Sequence, residues 1–280
     1  MSYFTTDTSR YNGLLQGDIF RIEQGDDIFL NEERYVVLLT ADCDMAHESK
    51  GVEFLTFLPV ISSMDFVKRI LISDFFNKKI KKIHKEIITY INSEISKVNT
   101  ECNPINEDGL INWLEDEDLE SILHSLNLIN IPDNIKSLIE IHQHCLNNDH
   151  ISSYAEIKKI EGVKKQNVFK DILSSLTKPK EEYFILPLIN ELYEQFSVVK
   201  IRMIKPIHRS RVFTNEMDYL ASCDKDNVAV IRVGRLSDYL RYSISQKFSH
   251  LFNKIGMPTE FESDRDTSIE MLMDILKEEK

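Results

Sequence analysis

The strongest constraint on this fold is a change of hydrophobic period along the chain. Up to about residue 63, and again from Tyr183, apolar residues come in short runs closed by Gly, Asp, Pro or Ser, as strands do. Over residues 65–180 they recur mainly at three- to five-residue steps, as on amphipathic helices. Strands on both sides of a helical block imply one β domain with a helical insertion; the alternative is two domains in tandem.

The clearest early strand is Tyr35–Thr40, in the run Arg-Tyr-Val-Val-Leu-Leu-Thr-Ala-Asp-Cys-Asp-Met at 34–45. Gly17-Asp18 turns into a strand toward Ile22. Ile28–Leu30 is a further short strand, and Val52–Ile61 follows a loop at Asp42–Lys50. The late strands are Tyr183–Leu186, Phe196–Ile204 and Val228–Val233. In between, one long basic helix spans about 64–97, with Lys78, Lys79, Lys81, Lys82 and Lys85. Glu107-Asp108-Gly109 marks a turn, and helices follow at Asp116–Leu126, Ile135–Asn147 and Val168–Leu176. Ser237–Ile255 carries a helical stripe that stops at Gly256 and Pro258. The expected organisation is a discontinuous β domain (11–64 and 181–256), a helical insertion (65–180) and an acidic tail (257–280).

With 34 Lys+Arg against 46 Asp+Glu, the net charge is −12, which is not that of a generic nucleic-acid binder; RNA contact would need a local basic patch. No apolar stretch approaches the roughly 18 residues of a membrane span, and no signal peptide is visible. Cys43, Cys102, Cys145 and Cys223 are scattered, which reads as free thiols in a reducing cytoplasm.

Three groups of residues carry candidate chemistry. Asp42, Cys43 and Asp44 close the organising strand. With His47 the carboxylates have donors for a divalent cation, and with His208 as base Cys43 has the makings of a nucleophile; the plainer reading is an Asx-type turn. Lys200, Arg202, Lys205, His208, Arg209 and Arg211 cluster on and after one strand, a groove for an RNA backbone or a solvated face. His142, His144, Cys145 and His150 have zinc-ligand chemistry, but His144 is off the face shared by His142 and Cys145, and no second pair completes a site. No Walker loop, dinucleotide loop, Gly-x-Ser-x-Gly elbow or His-Glu-x-x-His is present, so no cofactor is expected.

Four segments together resemble the MazF/PemK family of toxins: Gly17-Asp18-Ile19, Arg34-Tyr35-Val36-Val37-Leu38, Leu58-Pro59-Val60-Ile61-Ser62 and Ser197–Val212. The resemblance implies an α+β protein with an SH3-like small β-barrel, here interrupted by a helical insertion and followed by a C-terminal helix. It implies a toxin–antitoxin or phage-defence role as a metal-independent endoribonuclease. Arg34 would hold the scissile phosphate and Ser62 would assist; the plainer readings are an edge arginine paired with Glu32 or Glu33 and a cap hydroxyl. Tyr35 replaces the family's proline, Ser62 its threonine, and Asp42-Cys43-Asp44 lies outside its pattern. The implied partners are RNA and an antitoxin-like protein. The competing expectation is a non-catalytic interaction scaffold whose helical insertion binds a partner protein.

Overall fold

A computed structural model describes residues 4–5, 13–24, 28–46, 52–98, 103–128, 130–187, 196–222, 228–253, 263 and 266–271. The chain divides into two compact units. One is formed by 1–61 with 180–280, the other by 62–179.

The first unit is a curled, mostly antiparallel half-barrel sheet. Its strands are β1 (Phe4–Thr5), β2 (Asp18–Gln24), β3 (Glu33–Leu38), β4 (Phe54–Ser62), β5 (Tyr183–Leu186), β6 (Ser197–Lys200), β7 (Lys205–His208), β8 (Val212–Phe213) and β9 (Ala229–Leu236). They run in the order β1-β9-β2-β3-β4-β6-β5, with β7 also on β4 and β8 parallel on β9. Early and late strands therefore share one sheet, because β9 pairs with β2 along most of its length.

Both faces of the sheet are covered. Val37, Leu58 and Val199 pack with Leu240 and Ile244 of the terminal helix, Asp238–Asn253; Val36, Leu38, Phe57 and Val230 form a second core. That is why Tyr35–Leu39 reads as a continuous apolar run rather than an alternating one.

Several expectations need correction. Ile28–Leu30 is not a strand; Phe29 is buried in the second core instead. The single strand expected at Phe196–Ile204 stops at Lys200, turns, and resumes as β7 against the first half of β4. The loop after the organising strand begins with a short helix, α1 (Asp42–Ala46).

The second unit is helical. It comprises α2 (Ser63–Asp65), a π-helical stretch at Phe66–Ile72, α3 (Ser73–Val98), α4 (Glu107–Leu114), α5 (Leu119–Ser125), α6 (Asp133–Leu146), α7 (His150–Ile160) and α8 (Lys170–Thr177). In α3 the buried Ile83, Ile87 and Ile91 follow at i, i+4 and i+8, and no Gly or Pro interrupts them. The expected turn at Glu107-Asp108-Gly109 is the first turn of α4, because the Asn106 side chain caps it through the Gly109 N–H (2.8 Å). α7, which the sequence reading missed, ends at Gly162, whose φ of +77° lets Val163 N–H bond back to the Lys158 carbonyl. Among the described residues no helix is long and apolar enough to cross a membrane.

Gly17 sits where β2, β3 and the terminal helix converge. Its N–H donates to Leu38 O (2.8 Å) and its carbonyl accepts from Leu236 N–H (3.0 Å). Its φ is +87°, and a Cβ there would lie 2.6 Å from Arg241 Cβ. Gly17→Ala is expected to destabilise the β unit by about 1–3 kcal/mol, read as a lowered urea midpoint; an unchanged midpoint would contradict the described backbone.

Candidate functional site

The β unit is organised by a buried carboxylate. Asp18 opens β2 and is 0% exposed. Its oxygens accept from the Arg235 Nε, from Arg235 Nη2 (3.0 Å), from Arg232 Nη1 (3.3 Å) and from the Leu15 N–H (3.0 Å). Both arginines also donate to the Gly13 carbonyl. Two cations three residues apart point to opposite sides of a regular strand. Here the register slips: Ile19 faces Gly234 and Phe20 faces Arg232, leaving Val233 as an extra residue on β9. That bulge brings Arg232 and Arg235 onto one side to share Asp18. Charged residues inside the apolar run Ala-Val-Ile-Arg-Val-Gly-Arg-Leu were the available signal, since buried charges demand partners.

The Asp-Cys-Asp element lies beside this network. Asp42 Oδ1 accepts from the Gln16 N–H (2.6 Å), and Oδ2 accepts from Arg241 Nη1 (3.0 Å). Arg241 also meets Asp238 (3.0 Å) and lies over the Tyr242 ring. Asp42 thus ties the start of α1 to the terminal helix. Cys43 is exposed and bonds only to Asp44 (3.6 Å) among the described residues. Its expected base, His208, is held by Ser210 (2.7 Å) and Glu53 (3.3 Å). His47, Cys102 and Cys223 lie outside the described residues.

The basic set is not one groove-lining row. Lys200 is buried and its ammonium pairs with Glu33 at 2.5 Å, so the expectation that it contacts nucleic acid is corrected: its charge is spent inside the sheet. Arg202 is exposed, 3.7 Å from Glu182. Lys205 donates to the Ile28 carbonyl. Arg209 is exposed and Arg211 half-buried in the turn after β7.

Arg34 is exposed and makes no ion pair or hydrogen bond among the described residues. Glu33 faces Ile61 while Tyr35 faces Val60, so Arg34 is the extra residue of a bulge on β3. β7 faces Phe54–Phe57, four or more residues along β4 from Ile61. At about 3.3 Å per residue, that separates Lys205 and His208 from Arg34's position by roughly 10 Å or more along the strand. The Ser62 hydroxyl is a cap: it accepts from Asp65 N–H (2.9 Å) and donates to Asp65 Oδ2 (2.7 Å).

The helical unit contains a concave site that the sequence did not reveal. His84 of α3 and His142 of α6 are 7% and 5% exposed, and their Nε2 atoms lie 3.2 Å apart. Two neutral imidazoles make this bond, one donating and one accepting. Burial lowers both pKa values; nearby His84 pushes His142 further, to about 4, while Glu107 acts weakly against the shift at His84. The pair borders a cavity of about 460 Å³, walled by Ile111, Leu114, Ile139 and Leu146 and rimmed by Glu115–Asp118. Cys145 is buried, its thiol pushed up to about 11 by burial, and His150 binds the Lys68 carbonyl (2.9 Å). His142, Cys145 and His150 thus have separate surroundings, and no group of three or more His, Cys, Asp or Glu is placed to hold a metal ion among the described residues.

Comparison with protein-family models, with curated proteins and with solved structures returned no significant match.

Two outcomes follow from these buried groups. Asp18→Asn is expected to cost about 3–5 kcal/mol in denaturant unfolding, because it leaves two buried guanidinium groups short of an anion; a loss below about 1 kcal/mol would show that the network is not closed. The histidine pair makes stability pH-dependent in a defined direction. Unfolded histidines bind protons near pH 6.5 while the folded pair resists, so stability is complete above that pH and falls as pH drops toward 4. Urea midpoints at pH 7 and 5 should differ more for the intact chain than for His142→Leu; equal slopes would remove the pair from this role.

Proposed function

We propose that this chain is a non-catalytic interaction protein, with the β unit as scaffold and the helical insertion as the part that receives a partner protein. The carrying observation is the 460 Å³ cavity between helices, apolar in its walls and polar at its rim, the usual build of a binding site. The distribution of side-chain bonds supports the same reading. The Ser62 hydroxyl, the Asp42 carboxylate, the Lys200 ammonium and the His208 imidazole are each committed to structural contacts. The scattered cysteines and the lack of any membrane-spanning helix among the described residues favour a cytoplasmic site of action.

A second reading is retained because of one side chain. Arg34 stands exposed on a strand bulge, the position at which a MazF/PemK-like barrel would hold a phosphate. In that reading the half-barrel is SH3-like and the chain is a toxin-like endoribonuclease of a defence system, with Arg202 and Arg209 touching the backbone.

Incubating the protein with a mixed RNA pool in EDTA separates the two. The interaction reading expects intact RNA from both the wild type and Arg34→Ala. Cleavage by the wild type that falls by about a hundredfold or more in Arg34→Ala would overturn it in favour of the nuclease, since removal of one charge-stabilising donor commonly costs that much.

A further inference from the structure

The groove between α3, α4, α5 and α6 has a chemistry that narrows what it can hold. Its walls include apolar side chains that face water: Ile111 is 43% exposed and Leu146 65%. Its rim carries four consecutive carboxylates, Glu115 to Asp118. Asp118 caps α5 through the Ser121 N–H (2.8 Å), and that bond holds its pKa below the usual carboxylate range, so the charge persists at neutral pH. Glu117 accepts from Ser125 (3.3 Å). Glu115 and Asp116 meet no cation among the described residues.

At the back, His84 and His142 spend one nitrogen each on the other. Their Nδ1 atoms make no hydrogen bond among the described residues. Given the Nε2 bond, one of these is an N–H donor and the other an acceptor.

These features discriminate among occupants. Like charge at the rim disfavours RNA, an anionic membrane surface and an acidic peptide. A neutral apolar molecule would occupy the walls and leave the carboxylates unanswered. A helix with apolar anchors at i, i+3/i+4 and i+7, flanked by lysines or arginines, meets both at once.

We infer that this groove receives a basic amphipathic helix of a partner protein, its apolar stripe seated between Ile111 and Leu146 and its cations against Glu115 and Asp116. This inference rests on the interaction reading above and specifies the partner's chemistry.

The probe is a fluorescein-labelled Leu/Lys amphipathic peptide of about four helical turns, titrated with the intact 280-residue chain and read by anisotropy. Saturable binding is expected. The double variant Glu115→Lys/Asp116→Lys should weaken it by about tenfold, and raised salt should do likewise. Ile111→Glu/Leu146→Glu should abolish it, while Glu86→Lys, an exposed change elsewhere on α3, should leave it unaltered. All five positions are exposed, and thermal melts confirm that each variant is folded. A peptide with every Leu replaced by Gln should not bind.

Equal weakening by Glu86→Lys, or full binding of the Leu-free peptide, would reduce the effect to general attraction toward an acidic chain and overturn the inference. No binding by the wild type overturns it as well. If the RNA pool stays intact in that case, only the occupant is wrong; if RNA is cleaved through Arg34, the interaction reading itself has failed.

Discussion

The β unit depends on one buried anion and the two arginines that surround it. A carboxylate removed from water is tolerated only when its lone pairs are filled, and Asp18 fills them with two guanidinium groups and a backbone N–H. The cations come from β9 and the anion from β2, strands separated by some two hundred residues of sequence. The network ties the early and late segments together, because in the observed register both guanidinium groups of β9 reach the single carboxylate on β2. It also explains the neighbouring details. Gly17 has to turn with positive φ so that Asp18 enters the sheet, and Gln16 is left to hold Asp42 and the Leu39 carbonyl.

A second buried pair, Glu33 with Lys200, does the same for β3 and β6. Ionic crosslinks of this kind add little net stability once desolvation is counted, but they penalise wrong pairings heavily. In a curled sheet with apolar side chains on both faces, hydrophobic contact alone discriminates poorly between registers. The charges supply that discrimination, and their burial withdraws them from recognition. The basic character of the late strand is therefore partly structural, and the surface left for a polyanion is smaller than the sequence implied.

The helical unit follows a different logic. Its core is a continuous isoleucine- and leucine-rich cluster, and its buried polar groups, beside Ser153 and Lys158, include a histidine pair that stays neutral at ordinary pH. Keeping the pair uncharged lets it border an apolar cavity without a counter-ion, while the acidic charge is displaced to the rim. The cavity thus has an uncharged floor below a charged edge.

The sequence by itself determined the elements whose signal is local. Tyr35–Leu38 announced a buried strand because apolar residues, two of them β-branched, ran unbroken. Ile83, Ile87 and Ile91 announced a helix because their spacing matches its turn. Leu240 and Ile244 did the same for the terminal helix. What it left undecided depends on residues far apart in the chain. Arg232 and Arg235 meet Asp18 only because a bulge shifts the alternation of β9, and nothing in eight consecutive letters encodes a register slip against another strand. His84 and His142 lie fifty-eight positions apart on helices that only tertiary packing brings together. The same packing decided that Lys200 turns inward and Arg34 outward: local pattern fixes which residues can share a face, but only the assembled sheet fixes what that face meets.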